Sequence, residues 1–203
     1  TGIWKATNAG ANWFQVNTGL NALNILAMEV SPSDPDYVYC GTGVGTSTAG
    51  IYVTTNGGDS WIQRNSGIVD SAGTQEFVIN PNNPAIALVA IWNGTNFTNS
   101  INGVYKTTKG GLSWSPSNTG MGANKNVICL TGNPLNPNTI YCGTTFLVPN
   151  PPGTGPTYIY KSYDAGNTWS IFSSGLPTGI TELNAVRSIS VSNLDTSVVL
   201  AGI

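Results

Sequence analysis

The sequence contains no histidine and few charged residues. Of 203 residues, 8% are charged, with 7 Lys or Arg against 9 Asp or Glu and a formal net charge of −2, whereas a soluble domain averages about 25%. Without His, neither a Ser-His-Asp nor a Cys-His catalytic arrangement can be built. Without a basic stripe to neutralise phosphates, nucleic acid is not an expected partner. Asn, Thr, Ser and Gly supply the polarity instead.

Cysteines and long apolar runs are scarce as well. The three cysteines, Cys40, Cys129 and Cys142, lie on strand-like runs, and an odd, sparse set is not a disulfide framework. We expect small buried side chains, although a bond between Cys129 and Cys142 across a hairpin stays open. With no His and with the cysteines on strand-like runs, a zinc site is not expected. We assign no metal site and no cofactor. No run approaches the roughly 20 apolar residues of a membrane span, so membrane insertion is not expected.

A tryptophan-terminated pattern recurs along the whole chain. Its four copies are Gly2–Trp13, Gly50–Trp61, Gly103–Trp114 and Tyr158–Trp169. The closing tryptophans lie 48, 53 and 55 residues apart, and each copy is followed by a short run that ends in Thr-Gly or Ser-Gly. A repeat of this period is typical of propellers and solenoids.

A second pattern, rich in Pro and Asn, alternates with the first and marks turns. Each unit therefore holds four short β-rich runs separated by turn residues. In the unit 24–67 the runs are Ile25–Val30, Tyr37–Gly41, Gly50–Thr55 and Ser60–Arg64. No stretch shows a helical period of useful length. The sequence predicts an all-β protein built from β-propeller blades of four antiparallel strands.

The end of each tryptophan pattern resembles the Asp-box, or BNR repeat, Ser/Thr-x-Asp-x-Gly-x-Thr/Ser-Trp. The segment Ser162–Trp169 matches it at every position. The other copies have Asn8, Asn56 or Lys109 where Asp is expected, and the first copy has Ala6 for the opening Ser/Thr. The resemblance is to the β-propellers of sialidases, xyloglucan-active glycosidases, sortilin-type receptors and photosystem assembly factors. It covers essentially the whole chain.

The resemblance implies a structural role for these hairpins. The Asp or Asn is expected to bond its own turn amides, the Gly to take a positive φ, and the Trp to bury its ring beneath the turn. The copy with Lys109 should be the weakest, because an ammonium group cannot accept those bonds. The residues assigned this structural role are Asn8, Trp13, Asn56, Trp61, Lys109, Trp114, Asp164 and Trp169.

The number of blades leaves two alternatives open. We expect a single propeller region over 1–203, with complete blades at about 24–67, 75–120 and 126–175. A split blade would combine 186–203 with 1–19, which supply two strands each. These four blade equivalents form either a closed ring or an arc of a larger propeller, and we favour the arc. Since the chain starts without Met and ends within a strand-like run, we expect a mature product, a fragment or part of something longer. An open arc leaves strand edges that invite self-assembly.

Catalytic templates of related propellers fit the chain poorly. Sialidase-like chemistry uses three arginines, and this chain has Arg64 and Arg187 only. Glycosidases need two carboxylates flanking the sugar bond. Here Glu29 is expected on a first strand near the channel, and Asp70, Glu76 and Glu182 on loops between blades; a pair drawn from these four stays open. No motif around them matches the glycosidases, so we assign no catalytic residue.

The long loops are the expected binding face. The loops between second and third strands differ from unit to unit and gather with the blade-to-blade connections, where a rigid scaffold usually carries binding. Aromatic rings among amides suit sugar recognition, although Trp92 and Phe146 could instead finish strands and pack between blades. The candidate ligand-binding residues are Trp92, Asn96, Phe97, Phe146 and Asn150, and the candidate glycosylation sites are Asn93 and Asn96.

These features favour a non-enzymatic, secreted or cell-surface propeller that binds or scaffolds, in adhesion, matrix or assembly. Its partner would be a protein or a glycan held on the long-loop face. The alternative is a fragment of a glycoside hydrolase-type propeller that acts on polysaccharide. Low charge and an Asn/Thr-rich surface indicate the extracellular setting.

Overall fold

The fold was analysed in a computed structural model, which describes residues 1–43, 48–68, 73–92, 101–122, 124–145, 157–176 and 185–203. These residues form sixteen β-strands in five antiparallel sheets, and they contain no helix. The predicted all-β propeller class with four-stranded blades is confirmed. Among the residues described, no helix is long and apolar enough to cross a membrane.

Three sheets are complete four-stranded units, with strands ordered as they occur in the chain. The first contains β3 (Ile25–Val30), β4 (Val38–Thr42), β5 (Ile51–Thr54) and β6 (Ile62–Gln63). The second contains β7 (Thr74–Ile79), β8 (Ala87–Ile91), β9 (Gly103–Thr107) and β10 (Ser115–Pro116). The third contains β11 (Val127–Asn133), β12 (Asn136–Thr144), β13 (Ile159–Ser162) and β14 (Ser170–Ile171). We call these sheets blades 1, 2 and 3.

Two half-sheets flank the complete blades. The N-terminal one pairs β1 (Trp4–Lys5) with β2 (Phe14–Gln15), and the C-terminal one pairs β15 (Ser188–Val191) with β16 (Val199–Gly202). By their place in the repeat, β1–β2 are third and fourth strands, and β15–β16 are first and second strands. Among the described residues the two halves are separate sheets. Closure into a ring is not seen among the described residues, so an arc of a larger propeller stays allowed.

The strand order places the two kinds of connection at opposite faces. First strands of successive units, β3, β7, β11 and β15, pack next to one another and line the inner side of the arc. Because all pairings are antiparallel, the first-to-second-strand turns and the hairpins before the tryptophans lie at one face. The second strands end, and the third strands begin, at the other face.

The core lies between blades. Alternate side chains of each strand point to the two faces of its sheet, and each face packs against the next unit in a separate apolar cluster. Between blades 1 and 2, Tyr39 is fully buried against Phe77 and Trp114, with ring centroids 5.8 and 6.0 Å away, and its hydroxyl donates to the carbonyl of Pro84 at 2.8 Å.

The three cysteines are buried free thiols. Cys142 packs between blades 2 and 3, whereas Cys129 packs on the other face of blade 3 and donates to the carbonyl of Val186 at 3.1 Å. The disulfide that the sequence left open is therefore not formed. Desolvation by burial raises the pKa of Cys40 and of Cys129 to about 12, so these thiols are held in the unreactive protonated form.

Candidate functional site

The hairpin that ends in Trp169 shows how each repeat folds locally. Its Asp164 carboxylate accepts from the backbone N–H of Thr168 at 2.8 Å, from the Thr168 hydroxyl at 2.7 Å and from the Ser162 hydroxyl at 2.8 Å. Desolvation raises the pKa of Asp164, but these hydrogen bonds outweigh it and hold that pKa below the usual range. Ala165 and Gly166 take φ of 56° and 83°, which closes the turn. We call the four equivalent segments the tryptophan hairpins.

Asparagine takes over the acceptor role in two other tryptophan hairpins. The Asn56 side-chain oxygen accepts from the Ser60 backbone N–H at 3.0 Å, and the Thr54 hydroxyl accepts from Gly58 N–H at 3.0 Å. In the first hairpin, Asn8 accepts from the Asn12 N–H at 3.0 Å. Ala6 has no hydroxyl there, so that hairpin lacks the bond that Thr54 and Ser162 make.

The hairpin with Lys109 keeps only half of this network. The Thr107 hydroxyl still accepts from the N–H groups of Lys109 and Gly111, at 3.1 and 3.0 Å. The ammonium of Lys109 cannot replace the carboxylate or amide acceptor that Asp164 and Asn56 supply. The amide of Ser113, equivalent to Ser60 and Thr168, therefore has no such side-chain partner on the hairpin.

Lys109→Asn should stabilise the protein by about 0.5–1.5 kcal/mol, because it restores one side-chain acceptor for a turn amide. The measurement is the urea midpoint of the variant against the wild type. Lys109→Gln is the matched control: it removes the same charge but places its amide one methylene farther out. If both variants are stabilised equally, the stabilisation comes from removal of the positive charge, and the argument from the missing acceptor is wrong.

Three tryptophans join successive units. The indole N–H groups of Trp61, Trp114 and Trp169 donate to carbonyls of the preceding unit at 2.8 to 3.0 Å, namely those of Val16, Arg64 and Ser117. Their backbone N–H groups donate to the carbonyls of Thr18, Ser66 and Thr119 at 2.8 to 2.9 Å. These three side chains are 3–4% exposed, but Trp13 is 60% exposed. The burial expected for Trp13 is not found, because no described unit precedes its hairpin.

Sequence reasoning missed a polar clamp in each unit. The side-chain oxygens of Asn17, Asn65 and Asn118 accept from the N–H groups of Ile3, Ile51 and Val104 at 2.7 to 2.8 Å, and Ser173 does the same for Ile159. In the first three units a glycine precedes the donor, and a Cβ there would overlap the Asn side chain. The signal was present in the sequence, since each clamp residue follows its tryptophan by four positions.

On the long-loop face, the structure places one candidate binding residue. Trp92 is half-buried directly after β8, and its backbone N–H donates to the carbonyl of Gly73 at 2.9 Å, so it continues the strand pairing. The other binding candidates, Asn96, Phe97, Phe146 and Asn150, lie outside the described residues, as does the glycosylation candidate Asn93. The predicted binding roles therefore stay predictions.

Two carboxylates share a cavity of about 280 Å³ on the inner side of the arc, Glu29 of β3 and Glu76 of β7. Glu76 was expected on a loop, and the structure places it in a strand because β7 begins at Thr74. Its carboxylate accepts from the N–H of Leu130 at 2.8 Å. Asp70 and Glu182, the other carboxylates considered, lie outside the described residues.

The surroundings of the cavity favour the protonated form of both glutamates. Desolvation raises the pKa of Glu29, and the negative charge of Glu76 raises it further. Desolvation also raises the pKa of Glu76, partly offset by the Leu130 hydrogen bond. Both side chains nevertheless remain exposed at the cavity wall. Within the part of the chain that the structure describes, no cluster of three or more His, Cys, Asp or Glu could hold a metal ion.

The cavity lies at the face of the short turns. Its lining includes residues of the first-to-second-strand turns of all three blades, among them Pro32, Pro81 and Pro134. The variable loops leave from the opposite ends of the same strands. The glutamate pair and the long-loop face are therefore two separate candidate sites.

Solved structures with a similar fold include GH74 enzymes and YCF48. The chain is similar to the GH74 enzyme from Niastella koreensis, with 24% identity, a TM-score of 0.62, and coverage of 84% of this chain and 26% of that one. It is similar to the GH74 xyloglucanase from Xanthomonas campestris, with 17% identity, a TM-score of 0.60, and coverage of 87% and 28%. YCF48 bound to D1 peptide matches with 19% identity, a TM-score of 0.50, and coverage of 78% and 42%.

These likenesses establish a β-propeller fold and no activity, because every identity is below 25%. The chain spans about a quarter of the length of the GH74 enzymes it matches. No protein-family profile matches it, and neither does any curated protein sequence.

Proposed function

We propose that this chain is a non-enzymatic binding or scaffolding module of the Asp-box propeller type, in a secreted or cell-surface setting. The observation that carries the proposal is the division between its two faces. At one face, the turns that follow β3, β7 and β11 close within a few residues. At the other, β8 ends at Ile91 and β9 begins only at Gly103, and β12 and β13 are separated by 145–158.

The bases of these long loops are held by buried amides. The side-chain amide of Asn102 donates to the side-chain oxygen of Asn126 at 2.8 Å, and that of Asn124 donates to the carbonyl of Thr145 at 2.9 Å. All of these residues are buried. The polar groups at the base of these loops are therefore hydrogen-bonded. Variable loops on such a fixed support commonly form a binding surface.

A protein or glycan partner on the long-loop face fits this arrangement. YCF48, which has a similar fold, has been solved with a bound peptide, and the GH74 enzyme from Xanthomonas campestris is named a xyloglucanase. The Asn/Thr-rich composition and 8% charge favour recognition by hydrogen bonds and ring contacts over ion pairs.

A second candidate function is glycoside hydrolysis, and the glutamate cavity favours it. Glycosidases pair a carboxylic acid of raised pKa with a second carboxylate, and Glu29 and Glu76 share one cavity with both pKa values raised. The first function is preferred because this cavity is lined by short turns instead of the variable loops.

One experiment separates the two functions. The chain is applied to an immobilised panel of defined polysaccharides that includes xyloglucan, and the supernatant is assayed for new reducing ends. We expect retention on at least one polysaccharide with no new reducing ends. New reducing ends that disappear in Glu76→Gln would overturn the first function and support the second.

Trp92→Ala tests whether retention uses the long-loop face, and Trp4→Ala is the matched control at an exposed tryptophan of the N-terminal half-sheet. We expect Trp92→Ala to weaken retention by about tenfold, as removal of one stacking ring would, and Trp4→Ala to leave it unchanged. Equal retention by all three proteins would exclude Trp92 from the site. Thermal melts of both variants show whether a loss reflects unfolding.

A further inference from the structure

The cavity that Glu29 and Glu76 share lies where the interface between blades 2 and 3 lacks aromatic rings. At the interface between blades 1 and 2, three rings pack together, with neighbouring centroids 5.5 and 5.8 Å apart. In the strand register, aliphatic side chains stand at all three equivalent positions of the next interface. The rings are those of Tyr37, Tyr39 and Phe77, and their counterparts are Ile86, Leu88 and Leu130. All three counterparts line the cavity.

The position of Leu88 holds a tyrosine in both of the other complete blades. Tyr39, Leu88 and Tyr141 each lie on a second strand, four positions after a proline. Leu88 is 2% exposed, so it is as deeply enclosed as the two tyrosines, which are 0% and 2% exposed. Blade 2 therefore lacks a phenol ring at a position where blades 1 and 3 bury one.

The hydrogen bond of the missing phenol has an equivalent acceptor beside the cavity. The hydroxyl of Tyr39 donates to the carbonyl of Pro84 in the next blade at 2.8 Å. The residue of blade 3 equivalent to Pro84 is Pro137, which lines the cavity. Leu88 has no hydroxyl that could donate to its carbonyl. The cavity therefore offers apolar walls for a ring and a carbonyl for the hydroxyl of that ring.

The charged groups around the cavity are all of one sign. Among the described residues that line it are Glu29 and Glu76, but no Lys or Arg. Desolvation raises the pKa of Glu29, and the negative charge of Glu76 raises it further, because two carboxylates beside one cavity repel each other. A bound ammonium group would relieve this repulsion, whereas a bound carboxylate would add to it.

The cavity has room for a substituted ring. Its volume is about 280 Å³, and an apolar cavity of about 150 Å³ is enough to bind benzene. Leu88 and Ile140 form a buried part of its wall, each 2% exposed, whereas both glutamates are exposed. A ligand with an apolar ring and a charged end therefore matches the polarity of the cavity from its buried wall to its solvent side.

We propose that this cavity binds a small hydroxyphenyl alkylamine, in which a phenol ring is linked by a short alkyl chain to an ammonium group. The ring packs against Leu88 and Ile140, in place of the tyrosine that blade 2 lacks. Its hydroxyl donates to the carbonyl of Pro137, and its ammonium group binds Glu29 and Glu76. The site is separate from the long-loop face, so it is additional to the function proposed above.

The test is titration of the chain with tyramine, followed by the NMR shifts of the protein's methyl groups. Tyramine should bind the wild type, and two analogues should bind about tenfold more weakly or worse. The analogues are p-cresol, which lacks the ammonium group, and phenethylamine, which lacks the hydroxyl. No binding of tyramine at millimolar concentration would overturn the proposal, and so would equal binding of all three compounds.

Three variants locate the site. Leu88→Tyr restores the tyrosine found in blades 1 and 3 and fills the cavity, so it should weaken tyramine binding about tenfold or more and raise the urea midpoint. Glu76→Gln keeps an acceptor for the N–H of Leu130 but removes a charge, so it should weaken the binding of tyramine and not that of p-cresol. Trp92→Ala, on the long-loop face, should leave tyramine binding unchanged.

The contacts of bound tyramine in the wild type give a test that does not depend on the folding of Leu88→Tyr. Nuclear Overhauser effects should join the tyramine ring protons to the methyl groups of Leu88 and Ile140. Effects confined to other parts of the chain would overturn the proposal. Unchanged tyramine affinity in a folded Leu88→Tyr variant would overturn it as well.

Discussion

Replacing Trp114 by alanine should lower the free energy of unfolding by about 4 kcal/mol. The ring is 3% exposed between blades 1 and 2, and its centroid lies 6.0 Å from that of Tyr39 in a T-shaped arrangement. Its indole N–H donates to the carbonyl of Arg64 at 3.0 Å. The substitution removes a large buried ring, leaves a cavity and leaves a carbonyl without its donor.

Trp13→Ala is the matched control for this loss, because it removes the same side chain from the equivalent place in an exposed hairpin. Its expected effect on a monomeric chain is about 0.5 kcal/mol or less. Urea unfolding, followed by circular dichroism at a concentration where the chain is monomeric, gives both values. Equal losses of unfolding free energy in the two variants would contradict the claim that burial of Trp114 between successive units stabilises the protein.

Gly120→Ala should destabilise the protein by roughly 3 kcal/mol or more. With φ of 89°, an alanine there is strained in the left-handed region. Its Cβ would also overlap the backbone carbonyl of Trp169. Because backbone atoms cannot rotate away as a side chain could, blades 2 and 3 would have to separate.

Gly175→Ala separates the cost of the strained backbone from the cost of the steric overlap. Gly175 has the same φ class, at 85°, but nothing lies within 4 Å of its added Cβ. In a monomeric chain it should lose only the strain of the left-handed backbone, about 1–2 kcal/mol. The difference between the two urea midpoints then measures the close approach of neighbouring blades. A Gly120→Ala variant as stable as Gly175→Ala would mean that the blades adjust at little cost.

The blade itself was predictable from sequence, because its determinants are local. Turn residues at fixed offsets and alternating β-branched and aromatic runs specify strands and hairpins within a few residues. In blade 1 the predicted Ile25–Val30 is the observed β3, and Tyr37–Gly41 differs from the observed Val38–Thr42 by one residue. The turn hydrogen bonds of Asp164 and Asn56 are local in the same sense.

The contacts between blades were not predictable, because they join residues about fifty positions apart. Arg64 donates to the carbonyl of Gly110 from the position directly after the fourth strand, whereas Lys5 and Lys106 donate to theirs from third strands. No single spacing in the sequence marks these cations as equivalent. The exposure of Trp13 has a related cause: its local motif resembles that of Trp61 apart from Ala6 in place of Thr54, but no described unit precedes it.

The candidate sites were predictable only in part. Loop length and composition identified the face where binding is expected, because those features can be counted in the sequence. The shared cavity of Glu29 and Glu76 depends on two first strands standing side by side, which only the three-dimensional arrangement of blades 1 and 2 creates. A sequence pattern therefore suggested the carboxylates but not their pairing.

Each contact between successive units joins the tryptophan of one repeat to two carbonyls and a glycine of the repeat before it. Each complete repeat therefore carries the tryptophan for one neighbour and the carbonyls and glycine for the other. When a repeat is duplicated or deleted, the units on either side can still make the same contacts. Blade number can change in evolution by whole units without a new interface having to arise. What is constrained instead is the curvature of the array. The angle between two successive blades determines how many blades are needed to close a ring.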